Sequence, residues 1–571
     1  MSPETLPLDL MMFAALVGGI LLGFPVAFTI AGVAVVFAFL GAATGIMDLS
    51  LLGALGQRVF GVLTNEVLIA IPLFVLMGVV LERSRIAEEL LESMARLAGR
   101  LPGGLGVSVV LVGALLAAST GIVGATVIAM GLIALPTMLR AGYDRAFASG
   151  IVCTAGTLGQ IIPPSTLLII LADVMSNGYQ QAQYEQGKFS VETISVGEVF
   201  AAALLPGLVL VGLYLLYVLA RAALRPEDAP RPGEGRSRRA SSSAASLPER
   251  AAGSIGVATP VDATAPRGAL GPNEATGSND IAATRERAVT NPPSALGAVL
   301  PPVLLIVAVL GSILGGVATP TEAASIGAIG AVLMAARRQG LSDALVIGGG
   351  VALLALAVAA GIAPVRLQRS DAGVLDWTLG ALYIALALAG LGVVVLALRA
   401  LARRGVLGGS VTSTMTVTSM IFATIIAASV FSLVFVGLGG EARVARVLAA
   451  MPGGANGALL FCLALVFVLG FFLDFVEITV ILLPLIVPGL ILMGHDPLWL
   501  SILIAMNLQT SFLTPPFGFS LFYLRGAAPP EVSTADIYRG VAPFIALQLV
   551  GIAILWWAPG IARWLPAQVF G

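Results

Sequence analysis

Two distant parts of this chain carry the same punctuation in the same register, and no other feature restricts its fold as much. Pro136, Gly142, Asp144, Pro163 and Pro164 recur as Pro488, Gly494, Asp496, Pro515 and Pro516, each displaced by 352 positions (488 − 136 and 515 − 163). Between and around these marks both copies are almost wholly apolar, so the duplication lies in a membrane. Each copy ends in an apolar stretch broken by a proline pair. Duplicated hydrophobic halves with interrupted helices are the pattern of a secondary transporter.

Composition narrows the class further. Of 571 residues, 58% are hydrophobic and only 11% charged, with a mean hydropathy of +1.01. Apolar runs of about 18 residues suffice to cross a ~30 Å hydrocarbon core as helices, and this chain offers many, rich in the Gly and Ala that helix interfaces in lipid require. A transmembrane barrel would alternate polar and apolar residues in short segments; nothing here does. The expectation is an all-α polytopic membrane protein. A net charge of −1 gives no attraction to nucleic acid. Cys153 and Cys462 sit in apolar runs and read as packing residues rather than a disulfide or metal site. No Ser/His/Asp set, nucleotide-phosphate loop or metal-spaced His/Cys cluster is present, so neither an enzyme nor an ATP-driven pump is expected, and no cofactor. The stretch Ser2 to Leu8 lacks a basic n-region and a cleavage site, so the first apolar segment is expected to remain in the mature protein.

Along the chain, N-terminal scaffold helices (1–104) include a Leu10–Ala43 segment interrupted at Gly23-Phe24-Pro25, a helix near Glu66 to Leu81, and an arginine-bearing loop with Arg83, Arg85, Arg96 and Arg100. A first transport repeat (105–175) pairs a long apolar stretch, polar in the middle at Ser119-Thr120-Gly121, with a broken helix. A further helix (196–220) precedes a segment, 221–293, whose Pro, Ser, Ala, Gly and Arg content cannot bury enough apolar surface to offset its ordering entropy. That segment reads as a disordered cytoplasmic linker. Helices over 294–440, two of them within Ala344 to Leu398, lead to a second transport repeat (455–525) and a C-terminal helix (540–566). If Leu105–Leu139 and Gly457–Met493 are re-entrant hairpins, then Arg140, the linker arginines, Arg337 and Arg403 all fall on the cytoplasmic side. The first hairpin then opens inward and the second outward, which makes the repeats inverted. Arg443 and Arg446 run against this count.

Several residues could carry chemistry. Asp474 and Glu477 lie within an apolar span, where carboxylates are tolerated mainly on ion or substrate pathways; an interfacial, solvated loop is the alternative. Ser119, Thr120 and Gly121 suit either an ion-binding tip or helix packing. Proline removes a backbone donor, so Gln160–Ser165 and Leu513–Gly518 should be unwound, exposing carbonyls and helix ends at membrane depth, where irregular backbone must line a cavity or be buried in protein. A structural kink is the other reading. His495, the only histidine, reads as an interfacial turn residue matching Tyr143.

Five motifs carry a family resemblance: Gly23-Phe24-Pro25; Gly156-Thr157-Leu158-Gly159-Gln160 running to Pro163-Pro164-Ser165; Ala318-Thr319-Pro320-Thr321-Glu322-Ala323-Ala324; Gly470-Phe471-Phe472-Leu473-Asp474; and Asn507 through Leu513-Thr514-Pro515-Pro516-Phe517-Gly518. With them the chain resembles the large membrane subunit of tripartite ATP-independent periplasmic (TRAP) transporters, over nearly its whole length outside the linker. The resemblance implies an elevator-type, Na⁺-driven importer of small organic acids in a bacterial inner membrane. It also implies two partners, a small four-helix membrane subunit and a soluble periplasmic substrate-binding protein. One sodium site would draw on Ser119, Gly156, Thr157 and Gly159, the other on Asp474, Thr510, Ser511 and Thr514, with no metal beyond Na⁺. Substrate would lie among Thr120, Gly121, Pro163, Ser165, Asn507 and Pro515. This chain departs from the family in having Ala125 where an acid is usual, and in its linker and inserted helices, which look like the branch described for mannitol, chloroaromatic compounds or 2-oxo acids. A binding-protein-independent Na⁺/dicarboxylate symporter of similar architecture is the alternative.

Overall fold

The computed structural model describes residues 7–84, 86–98, 101–121, 123–230, 295–364 and 373–571. Most of the expected linker, with Arg85 and Arg100, lies outside them. Every regular element among the described residues is helical. Seven helices are long and apolar enough to cross a membrane, or up to nine if two bent pairs each count as one span.

The five repeated marks adopt the same local structure in both halves. Gly142 and Gly494 have φ of 90° and 97°, and both proline pairs are joined by cis peptide bonds. Asp144 and Asp496 each cap a helix, accepting from Phe147 N at 2.9 Å and Trp499 N at 2.8 Å. Phe147 and Trp499 are themselves 352 apart. Tyr143 and His495 also correspond. The Gly106 N–H donates to the Tyr143 hydroxyl at 3.2 Å, while His495 Nε2 lies 3.0 Å from Ala455 O. Each turn residue thus ties the open end of its own hairpin, which gives the interfacial reading of His495 its geometry.

Polar contacts at helix ends sort onto two faces and fix the hairpin directions. On one face Arg221 pairs with Asp228 at 2.9 Å, and Asp228 O accepts from Asp144 N at 3.0 Å. Arg338 pairs there with Glu89, and Arg83 donates to Ser413 Oγ at 2.8 Å. On the other face Arg443 pairs with Asp9 at 2.5 Å, Gln181 bonds Glu441, and Arg563 approaches Asp496 at 3.9 Å. The first hairpin, Gly104–Thr120 and Val123–Arg140, opens on the arginine-rich face. The second, formed by Gly454–Leu469 with the bent pair Phe475–Ile481 and Leu483–Leu492 (56° at the break), opens on the opposite one. The repeats are therefore inverted. The buried Asp9, 1% exposed, also accounts for Arg443: its charge is neutralised by the first helix and does not oppose the positive-inside count.

The repeats pack crosswise. The Val123–Arg140 arm lies against Phe519–Ala527, the helix after the second break, and Leu483–Leu492 lies against Thr166–Glu185, the helix after the first. Small residues permit these approaches. A Cβ on Gly131 would stand 3.0 Å from Ala527 Cβ, and one on Gly178 would stand 2.7 Å from Val487 Cγ1.

Three stretches differ from the sequence reading. The arginine-bearing loop holds an amphipathic helix, Ile86–Ala98, and a matching one, Gly440–Ala449, precedes the second hairpin. Both are too polar on one face to register as apolar runs, and each leads through a Pro-Gly-Gly turn into its hairpin. The C-terminal stretch is two helices, Thr534–Trp557 and Gly560–Val569, separated where Pro559 cannot donate to the preceding turn. The interruption expected at Gly23-Phe24-Pro25 is present and divides Leu8–Leu21 from Val26–Ala43.

Candidate functional site

In the first repeat the helix Arg145–Thr157 tightens into a 3₁₀ turn at Leu158–Gln160, runs irregularly through Ile161–Pro164, and restarts at Thr166. Pro163, Ser165, Gly156 and Gly159 are buried here. Thr157 Oγ1 donates to Thr154 O at 2.8 Å and Ser165 Oγ to Gln160 O at 3.0 Å. Ser165 therefore does not cap the helix that follows it. The hairpin tip sits on this restart. Gly121 has φ 61°, and a Cβ there would lie 2.9 Å from both the amide N and the Oγ1 of Thr166, so glycine alone permits both the turn and the approach. Ser119 and Thr120 end the Gly104–Thr120 helix, but their side chains lie outside what is described.

The second repeat repeats the plan. Pro497–Leu513 ends at the break Thr514–Gly518, and Phe519–Ala527 restarts without a side-chain cap at Gly518. The tip touches the last turn of the helix before its own break, since a Cβ on Gly470 would fall 2.1 Å from Ser511 Oγ. Thr510, Ser511 and Thr514 each donate to a carbonyl of their own helix, at 2.8, 2.7 and 2.8 Å, which leaves their oxygen lone pairs available. Asn507 reaches across to the outer arm, donating to Leu463 O at 2.8 Å. Asp474 caps Phe475–Ile481, accepting from Phe475 N at 2.7 Å, and Glu477 closes the capping box on Asp474 N at 3.0 Å. The two acids are thus half-buried at a helix start facing the second break, not free in a loop.

The halves meet where Gln509 Nε2 donates to Thr157 Oγ1 at 3.4 Å. These residues are themselves 352 apart, so the pseudo-two-fold axis passes between them. Around this point buried polar atoms go without protein partners: both amide atoms of Gln160, Gln509 Oε1, Thr154 Oγ1 and Thr166 Oγ1. An unsatisfied buried group costs about 1–3 kcal/mol, so the cluster is suited to complete its bonds with an ion, water or substrate. Gln160, Thr166 and Gln509 were not singled out from sequence as site residues. The signal for Gln509 was its position as the repeat mate of Thr157. The two breaks differ in exposure: Pro163 and Pro164 are buried, whereas Pro515 is half-buried and Pro516 exposed.

A family model described as the tripartite ATP-independent periplasmic transporter, DctM component, matches residues 10–363 and 371–561. The chain belongs to this family. It is 24% identical to the C4-dicarboxylate TRAP transporter large permease protein of Vibrio cholerae, with 98% of each chain covered. It is 23% identical to the ectoine TRAP large permease of Halomonas elongata, over 98% of this chain and 99% of that one. Among solved structures it is similar to the YdaH transporter of Alcanivorax borkumensis, with a TM-score of 0.48 and 15% identity over 91% of this chain and 89% of that one. As a TRAP large permease it is a multi-pass inner-membrane transporter and not an enzyme.

Proposed function

We propose that this TRAP permease imports a small organic acid driven by Na⁺, receiving it from a periplasmic binding protein and working with a small four-helix membrane subunit. The observation that carries the reading is the pair of uncapped helix restarts at Thr166 and Phe519, the first under the Gly121 tip and the second following Phe517, whose ring lies 5.5 Å from Phe472 of the other tip. A helix N-terminus presents unsatisfied N–H groups and roughly half a positive charge, so two of them near one axis suit a carboxylate. Relatives named for C4-dicarboxylate and sialic acid transport are consistent with an acid as cargo. For Na⁺, the first site is assigned to Ser119, Gly156, Thr157 and Gly159 and the second to Asp474, Thr510, Ser511 and Thr514; substrate lies against Thr120, Gly121, Pro163, Ser165, Asn507 and Pro515. The amphipathic helices Ile86–Ala98 and Gly440–Ala449 support an elevator mechanism, because each joins a scaffold helix to a hairpin through a glycine turn.

Reconstitution with the partner subunit and binding protein in liposomes tests this. Uptake should require an inward Na⁺ gradient and the binding protein, and should ignore ATP. Undiminished uptake without Na⁺, or uptake driven by ATP alone, would overturn it.

A further inference from the structure

A crevice of about 230 Å³ opens away from the breaks, between the Leu55–Leu63 and Val406–Gly437 helices on one side and Thr166–Glu185 with the second hairpin on the other. Asp173, Asn177 and Gln181 line it at four-residue spacing along one face of Thr166–Glu185, opposite Arg58, Ser429 and Ser432. Ile170 continues that face toward Thr166, on which the first hairpin tip rests. From Gln181 to Ile170 is roughly 16 Å along a helix rising ~1.5 Å per residue, so the crevice runs inward from the Glu441 face along that helix and ends one turn short of its start at Thr166.

Its charges are arranged unequally. The Asp173 carboxylate is held in place, accepting from Asn65 Nδ2 at 2.8 Å and from Asn177 Nδ2 at 3.5 Å. Arg58 is exposed and takes part in none of the ion pairs among the described residues. The space therefore offers an uncommitted guanidinium at one wall and a fixed negative charge at the other. A small dicarboxylate that paired with Arg58 would bring a second carboxylate into a crevice that already holds the Asp173 carboxylate. A monocarboxylate bearing a hydroxyl or ammonium group would instead donate to Asp173.

We propose that this crevice is an outer entry site that admits small monocarboxylates carrying a hydrogen-bond-donating group in preference to dicarboxylates. The proposal rests on the transport reading above and names the substrate class. Ser432→Cys supplies a probe in the crevice, because the native Cys153 and Cys462 are 0% and 2% exposed and contribute little background. In nanodiscs without Na⁺, gradient or binding protein, methyl methanethiosulfonate labelling of that cysteine is followed by mass spectrometry. Lactate at twice its dissociation constant should slow labelling about threefold, by the factor 1 + [L]/Kd, and succinate should not. Arg58→Gln should abolish the protection, Arg58→Lys should keep part of it, and Asp173→Asn should let succinate protect as well as lactate. Equal protection by both acids in the wild-type background, protection by neither, or protection that survives Arg58→Gln would each overturn the proposal. Because no transport is measured, protection combined with Na⁺-independent uptake would refute the coupling and leave the entry site standing.

Discussion

The contact of the second hairpin with the helix end that precedes its break can be tested at Gly470. The residue has φ −64°, so alanine there meets no backbone strain and any effect comes from the added methyl. That methyl would lie 2.1 Å from Ser511 Oγ and 2.7 Å from Ser511 Cβ. Ser511 cannot swing aside: it is fully buried and its hydroxyl is held by Leu508 O at 2.7 Å. The tip must therefore lift by roughly 1 Å, and overpacking of this kind costs about 1–3 kcal/mol. If that cost falls on the Na⁺-bound, closed tip, half-saturation by Na⁺ should rise ~5- to ~150-fold, at ~1.4 kcal/mol per tenfold. Sodium titration of uptake in liposomes, paired with thermal unfolding in detergent, gives both readouts. Adding Ser511→Gly to Gly470→Ala should restore the melting temperature, since the clashing side chain is gone, while Na⁺ dependence stays weakened by the missing hydroxyl. Wild-type half-saturation and melting temperature in Gly470→Ala would show that the tip does not bear on Ser511 and would refute the reasoning.

Two further substitutions probe other links. Asp474→Asn should keep the helix cap, because asparagine accepts from Phe475 N as well as aspartate does, yet raise the Na⁺ needed for half-maximal uptake by removing the charge; unchanged Na⁺ dependence in a well-inserted variant would remove Asp474 from the ion site. Gly540→Ala places a methyl 1.9 Å from Ala146 O, where the Arg145–Thr157 and Thr534–Trp557 backbones touch, so it should cost about 3 kcal/mol or more and lower the melting temperature, whereas Gly212→Ala, with nothing within 4 Å, should be neutral or slightly stabilising in the same assay.

What could be read from sequence was whatever the backbone must do regardless of neighbours. Proline and glycine impose their conformations locally, so the breaks at Pro163-Pro164 and Pro515-Pro516 and the repeated Gly142, Gly494, Asp144 and Asp496 stood out from their spacing, whereas the caps those two aspartates make emerged only in the structure. The amphipathic helices Ile86–Ala98 and Gly440–Ala449 did not stand out, because hydropathy over long windows averages their two faces to nothing. The partner of Asp9 was also illegible: Arg443 lies 434 positions away, and no periodicity joins the first helix to the second half of the chain. Gln160 and Gln509 stood in plain view as polar residues in apolar runs, but their lack of partners is a property of packing.

The two proposed ion sites cannot be electrostatically equal, although the fold makes them topologically so. At offset 352, Asp474 and Glu477 correspond to Ile122 and Ala125, so both acids belong to the second hairpin alone. The first half has another source of negative potential. The helices Gly104–Thr120 and Arg145–Thr157 both end at the first tip and break, and each C-terminus carries about half a negative charge from its unpaired carbonyls. Together they supply roughly one charge without an ionised group, and Gly454–Leu469 and Pro497–Leu513 do the same at the second tip, where the carboxylates add to it. On the transport reading, the second site should hold Na⁺ more tightly and depend on Asp474, while the first should be the weaker and should respond to changes that tilt a helix end or fill the Gly121 approach. Each half also turns a helix start, Thr166 or Phe519, toward the same region, so cation-seeking and anion-seeking ends lie within one break. On the same reading that juxtaposition would couple the two ligands: a sodium ion at the helix C-termini would lower the repulsion a carboxylate meets there, and the carboxylate would in turn hold the ion.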